Sequence, residues 1–274
     1  MSVSRAGGGP RSPCAGITRI RFIRSAARRR PLSPLVGLPL LRPWYPAPCA
    51  ILGRLSAPRP EIIDRLARAR LYLVCEGLPG GRDPGPLLEA AIRGGVDVIQ
   101  LREKGARCAE EVISLAEPFA RAARESGALF FLNDTPELVA AAGADGVHVG
   151  QDDAGVAEAR RAAGPGSLVG LSTHSPEQLD VALAAEGDAA PDQISVGPVW
   201  ETPTKEGRPA AGLELIEHAA GAAGDRPWFA IGGIDAANVG AVVAAGARRI
   251  VVVRAIRDAA DPRAAAAELR ALLG

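Results

Sequence analysis

From residue 71 onward the chain alternates between two kinds of segment. Short, largely apolar runs occur at 71–75 (LYLVC), 97–101 (DVIQL), 129–132 (LFFL), 146–149 (GVHV), 168–171 (LVGL), 193–196 (QISV), 228–231 (WFAI) and 250–253 (IVVV). Between them lie longer Ala-, Leu-, Glu- and Arg-rich segments, among them 108–125, 154–163, 175–186, 235–245 and 261–273, long enough for amphipathic helices. A strand with one wet face alternates apolar with polar residues. Runs this rich in apolar residues predict strands covered on both faces, as in a parallel sheet flanked by helices. Eight such units in about 205 residues predict an α/β fold, a (β/α)8 TIM barrel, rather than an open doubly wound sheet. Glycine-bearing approaches to three strands (GGVDVIQ, GADGVHV and GARRIVVV) mark the units as quasi-equivalent.

The first sixty residues have no such period. They hold ten prolines, each lacking the backbone N–H that a helix or sheet needs to propagate. Their most apolar stretch, 34–53, is broken by five prolines and Arg42, which argues against a membrane-spanning helix. The segment carries 11 Arg, no Lys and no acid. That composition resembles an organellar transit peptide, but the same Ala, Arg and Gly richness runs through the whole chain. Residues 1–60 read as a disordered Pro/Arg-rich extension, with the barrel over 61–274, beginning near Glu61.

Composition changes the picture in three ways. Apolar residues make up 47% of the 274-residue chain and aromatics only 4%, so the expected core is built from Ala, Val, Leu and Ile. The net charge of +1 combines +11 in the first sixty residues with −10 in the rest, and so acidic a body is a poor general binder of nucleic acid. The four cysteines show neither a CxxC pair nor zinc-ligand spacing.

In a barrel the chemistry lies where strands end. After the second run comes Gln100-Leu101-Arg102-Glu103-Lys104, whose alternation puts Gln100, Arg102 and Lys104 on one side. The chain has 30 Arg and only two Lys, Lys104 and Lys205, both just after predicted strands. A role that needs a compact ammonium rather than a planar guanidinium explains their placement. Asn133-Asp134 ends the third run, and Gln151-Asp152-Asp153 follows the fourth. Neighbouring strands are about 4.8 Å apart, so Asp134 and one of these acids can face a single Mg2+, or else merely cap helices. Ser172 follows the fifth run, with Ser175 as N-cap of a helix opening at Pro176. His174 reads as a loop residue, and His148, inside the fourth run, as packed. No nucleophilic triad is visible. The long loop after the sixth run carries Thr202-Pro203-Thr204-Lys205, two hydroxyls and an ammonium suited to an anion. Gly232-Gly233 after the seventh run, opening a helix, and Val253-Arg254 after the eighth complete a phosphate-type mouth.

Taken together, QLREK, LNDTPELVAAAGADGVHVGQDD, GLSTH, VGPVWETPTK and AIGGI, in barrel order over residues 70 to about 257, resemble the thiamine-phosphate synthase (thiamine-phosphate pyrophosphorylase) family. The resemblance implies a cytoplasmic, Mg2+-dependent transferase. Its small-molecule substrates would be hydroxymethylpyrimidine diphosphate and hydroxyethylthiazole phosphate, with no nucleic-acid or membrane partner and a homo-oligomer left open. It implies that Gln100, Arg102, Lys104, Asn133, Ser172 and Lys205 hold the pyrimidine diphosphate, with Leu101 and Glu103 of the same motif counted as substrate-binding, and that Asp134 and Asp153 bind Mg2+. Thr202, Pro203, Thr204, Gly233, Val253 and Arg254 would meet the thiazole phosphate. Arg102, Lys104 and Lys205 would act in catalysis, stabilising a leaving diphosphate in a dissociative substitution, which needs no protein nucleophile. Two positions depart from the family's pattern: Arg254 stands where Ser is common and Arg249 where Gly is usual. The thiazole tautomerase branch and a non-catalytic phosphate-binding barrel remain the alternatives, separable by pyrophosphate release.

Overall fold

The computed structural model describes residues 59–105, 108–202 and 209–274. The extension expected over 1–60 lies outside the described residues up to Pro58, while Arg59 and Pro60 open the first helix, α1 (Arg59–Arg68). Eight strands follow: β1 (Leu71–Cys75), β2 (Val98–Leu101), β3 (Leu129–Asn133), β4 (Gly146–Val149), β5 (Leu168–Thr173), β6 (Gln193–Val196), β7 (Trp228–Ile231) and β8 (Ile250–Val252). Each pairs in parallel with the next and β8 closes on β1, so the predicted barrel is the fold. Around it run α2 (Gly85–Arg93), α3 (Ala109–Ser126), α4 (Val139–Ala142), α5 (Val156–Ala163), α6 (Pro176–Ala184), α7 (Glu214–Ala222), α8 (Val239–Ala244), α9 (Arg254–Arg257) and α10 (Pro262–Leu272). Ser175 caps α6 as its sequence predicts, its hydroxyl accepting from Gln178 N.

Strand alternation sorts the apolar residues into two layers. Leu71, Leu73, Ile99, Leu101, Phe130 and Leu132 face the helices, while Tyr72, Val74, Val98, Leu129, Phe131 and Phe229 fill the barrel. The outer layer is aliphatic and Ala-rich, as composition suggests. The interior is not: Tyr72 lies edge-on to Phe229 at 5.5 Å and near Phe131 at 6.0 Å. A closed eight-stranded barrel has a fixed internal width that these large flat side chains help to fill, while Phe119, Phe130 and Trp228 belong to the outer layer. Helix α1, too short and charged to stand out by period, sends Ile62 and Leu66 into this interior cluster, each 1% exposed. One turn apart, they plug the N-terminal end of the barrel.

That end is latched by a repeated device. Asp97, Asp145 and Asp192 stand just before β2, β4 and β6, and each carboxylate accepts backbone N–H groups from the preceding strand. The distances are 2.7 Å to Arg70 N, 3.0 Å to Phe130 N and 2.8 Å to Val169 N. Before β8 the corresponding place holds Arg249, which reverses the polarity. It donates to the carbonyls of Ala67 and Ala69 (2.8 and 3.1 Å), where α1 ends. The departure at Arg249 is therefore a clamp on the α1 plug, with a cation meeting helix carbonyls that lack internal partners.

Candidate active site

The C-terminal ends of the strands open into a cavity of about 350 Å³. Inward-facing residues of β1, β2, β4, β5 and β6 make or underlie its polar floor. Gln100 on β2, 3% exposed, donates through Nε2 to the Tyr72 hydroxyl on β1 at 2.8 Å. Burial raises the Tyr72 pKa and keeps the phenol protonated. His148 on β4 places Nε2 2.9 Å from Ser172 Oγ on β5, and Gln193 Nε2 on β6 lies 2.8 Å from His148 Nδ1. Val74, Ile231 and Val251 supply the apolar remainder.

Of the residues singled out by sequence, Gln100, Arg102, Asn133 and Ser172 line this cavity, as do Thr202, Gly233, Val253 and Arg254. Others fall elsewhere. Leu101 is 2% exposed in the layer between barrel and helices, because an odd position of β2 must face outward. The Glu103 carboxylate is taken by the N–H groups of Gly77 (3.1 Å) and Gly105 (3.0 Å), so it ties two loops together and does not line the cavity. Lys104 is exposed and off the cavity wall. Pro203, Thr204 and Lys205 lie outside the described residues.

Asp134 and Asp153 come together at the rim. Asp134 has φ 63°, a left-handed conformation that a non-glycine residue adopts only when its surroundings impose it. Asp153 accepts from Gly150 N at 2.8 Å and faces Asp134 closely enough for the two carboxyls to hydrogen-bond. Loss of solvent around its carboxyl, then the charge and hydrogen bond of Asp153, push the Asp134 pKa up to about 6, against the opposing pull of Arg102 and Asn133. Asp153 rather than Asp152 is the partner, and neither acid caps a helix: α5 has no side-chain cap.

Gly232 and Gly233 take φ values of 111° and 67°, which no α-helix can continue. The helix expected to open there starts only at Val239, the gap being a turn in which Asn238 bonds to Asp235 N and Gly233 O (2.9 and 2.8 Å). Backbone approach at the glycines survives; the helix begins six residues beyond Gly233. A Cβ on Gly232 would sit 2.5 Å from Pro198 Cα, so that loop packs directly on glycine.

Tyr72, His148, His174 and Ser195 also line the cavity and were not in the sequence-derived set. His148 is buried, as its strand position suggests, yet reaches the cavity. His174, read as a loop residue, turns Nδ1 to Gly197 O at 2.6 Å. The signal was alternation: residues 72, 148 and 195 fall on the inward phase of their strands, where a polar side chain inside a small barrel is unusual.

No helix among the described residues is long and apolar enough to cross a membrane. Residues 71–256 match the family model described as thiamine monophosphate synthase. The chain is 51% identical over 219 residues to the thiamine-phosphate synthase of Mycobacterium tuberculosis, covering 77% of this chain and 97% of that protein. It is 55% identical over 150 residues to that of Acidothermus cellulolyticus, covering 55% and 69%. Among solved structures, a thiamine phosphate pyrophosphorylase from Pyrococcus furiosus superposes with a TM-score of 0.65 at 28% identity, covering 77% of this chain and 97% of that one. A 3-hexulose-6-phosphate synthase, at 21% identity and a TM-score of 0.54, shares the fold alone. The chain belongs to the thiamine monophosphate synthase family.

Proposed function

We propose that this barrel joins hydroxymethylpyrimidine diphosphate to hydroxyethylthiazole phosphate, giving thiamine monophosphate and pyrophosphate. The observation that carries the reading is convergence. Gln100, Arg102, Asn133 and Ser172 from β2, β3 and β5, and Gly233 and Arg254 from beyond β7 and β8, all meet in one cavity. The family resemblance divides the mouth into two subsites. The first group, with Lys104 and Lys205, takes the pyrimidine diphosphate; Thr202, Pro203, Thr204, Gly233, Val253 and Arg254 take the thiazole phosphate. Arg254 offers a planar fork for that phosphate where the family commonly has a serine hydroxyl.

The reaction breaks the C–O bond to diphosphate, and both electrons leave with the oxygen. The electron-rich aminopyrimidine stabilises the cation left on its methylene carbon, and the thiazole nitrogen supplies the new electron pair. No proton moves and no protein nucleophile is needed, consistent with a floor of amides and hydroxyls. What the protein must supply is charge where diphosphate charge grows, the role of Arg102 and the two lysines. The rim fits a divalent cation: Asp134 and Asp153 bring two carboxyls face to face, and their mutual repulsion is what a metal would relieve. Asp134 and Asp153 would hold Mg2+, whose chemistry here is to neutralise the departing diphosphate.

A turnover assay on the full chain tests this. Pyrophosphate should appear only when both substrates and Mg2+ are present. Isomerisation of a thiazole substrate without pyrophosphate release, or ligand binding without turnover, would refute the assignment.

A further inference from the structure

Below the substrate cavity, one layer of the barrel breaks the apolar rule of its neighbours. In register, His148, Gly170 and Gln193 stand side by side on β4, β5 and β6. A Cβ on Gly170 would lie 2.1 Å from Gln193 Nε2 and 2.5 Å from His148 Nδ1. The absent side chain on β5 is what lets the imidazole and the amide meet across that strand. Both are buried, at 7% and 0% exposure. Polar groups there cost stability that Val or Phe would not, so the trio calls for a function.

The bonds have a direction. Gln193 can lie with Nε2 or with Oε1 toward His148 Nδ1. The structure turns Nε2 to the ring, leaving Oε1 with no hydrogen-bond partner among the described residues. The reversed amide would instead strand an NH2 group, and orphaned buried N–H groups are rarer than orphaned carbonyls. With the amide donating, Nδ1 is the acceptor and the neutral ring carries its proton on Nε2, which donates to Ser172 Oγ at 2.9 Å. The Ser172 hydroxyl hydrogen then has no place on His148. Ser172 lines the cavity, and its main chain is pinned by Gln151 Nε2 donating to its carbonyl at 2.6 Å. The hydroxyl rotor is its remaining freedom.

We infer that His148 is a positioning residue: held by Gln193 in the gap at Gly170, it makes Ser172 a donor aimed into the cavity. This rests on the reading of Ser172 as a contact to the pyrimidine diphosphate. A serine left to itself samples three hydroxyl rotamers. One held from beneath meets the departing diphosphate already oriented, so the gain lies in kcat more than in KM.

The test is a double-mutant cycle on the full chain, read by single-turnover rates at saturating substrates. His148→Leu should slow the reaction about tenfold to a hundredfold, the cost typical of removing a group that orients a site ligand. In a Ser172→Ala background the same change should cost less than about twofold, because the hydroxyl it orients is gone. Gln193→Glu, nearly isosteric and only an acceptor when ionised, forces the ring proton to Nδ1; it should slow wild type comparably and have little effect on Ser172→Ala. Thermal melting separates folding losses from these rate effects. Equal losses in both backgrounds, for either variant, overturn the inference while leaving Ser172 at the substrate. A Ser172→Ala protein with wild-type rates overturns the inference together with the reading of Ser172. Should His148→Leu fail to fold, the Gln193→Glu cycle decides alone.

Discussion

Replacing Asp153 with Asn should make the metal-free protein more stable at neutral pH and less active. Asp134 has its pKa raised from 3.8 to about 6 by lost solvation and then by Asp153. A carboxyl whose folded pKa is raised contributes stability that is full below its unfolded pKa and lost as pH rises through the folded one. In wild type, stability therefore drains between about pH 4 and pH 6 as Asp134 is forced to ionise beside Asp153. Asn at 153 removes the opposing charge and can donate a hydrogen bond to Asp134. A shift of about two units corresponds to about 3 kcal/mol at most, at 1.36 kcal/mol per unit. Lost solvation, the largest cause, persists in the variant, and although the residue is exposed as a whole its carboxyl is only partly desolvated, so screening leaves a realised effect of about 1 kcal/mol. For a domain of this size that is about 2–4 °C in Tm. The assay is thermal melting of wild type and Asp153→Asn in chelator from pH 4 to pH 8.5. Equal midpoints are expected at the acid end, with the variant gaining about 2–4 °C by pH 7. Adding Mg2+ should reverse the order, because ligand binding to the folded state stabilises wild type more. A difference that does not change with pH, or a variant whose response to Mg2+ equals wild type, would refute the face-to-face pairing.

Gly170→Ala should destabilise the barrel by about 1–3 kcal/mol, the usual cost of overpacking, and slow turnover as His148 and Gln193 are forced apart; urea unfolding with parallel rate measurements checks both. Removing residues 1–58 should leave melting temperature and turnover nearly unchanged, since all eight strands and both apolar layers lie within 59–274. Removing residues 1–68 should cost about 3–6 kcal/mol, because Ile62 and Leu66 leave the barrel end; equal stability of the two truncated proteins would show that α1 is no plug. Lys104→Arg and Lys205→Arg should each lower single-turnover rates about tenfold to a thousandfold with little change in melting, comparable to losing one preorganised donor. Wild-type rates in both would make the lysines ordinary surface charges.

The fold was legible because burial on two faces imposes largely apolar runs, and all eight observed strands lie on such runs to within two residues. The site was legible in part. Residues at strand ends that alternate inward, such as Gln100 and Arg102, could be placed by phase alone, and Asp134 with one acid of the Asp152–Asp153 pair by the nearness of adjacent strands, the choice of Asp153 coming from the family resemblance. Leu101 and Glu103 could not be sorted by motif, because a contiguous sequence block need not share one direction: Leu101 obeys strand phase and Glu103 obeys the backbone donors within reach. Helix α1 is not legible in the sequence because two apolar residues one turn apart carry almost no period, although the barrel end makes them central. His148 was read as packed, which is true. Its second role depends on Gly170 and Gln193, 22 and 45 positions away, and a relation set by barrel register is invisible along the chain.

The same strands thus carry two polar systems with opposite tasks. At the N-terminal end Asp97, Asp145 and Asp192 each accept neighbouring backbone N–H groups, so their charges are answered by groups that do not leave. At the C-terminal end Asp134 and Asp153 oppose each other's charge, only partly offset by Arg102, Asn133 and Gly150 N, and Ser172 faces the cavity. The first arrangement stabilises the closed barrel at every stage of a reaction cycle. The second leaves interactions unfulfilled until cation and diphosphate arrive, and that is where binding energy can be converted into rate. Exchanging Asp145 for Asn should then lower stability with little effect on the rate of folded molecules, whereas Asp153→Asn should do the reverse. If instead both changes moved melting temperature and single-turnover rate in proportion, the separation of a structural end from a chemical end would fail.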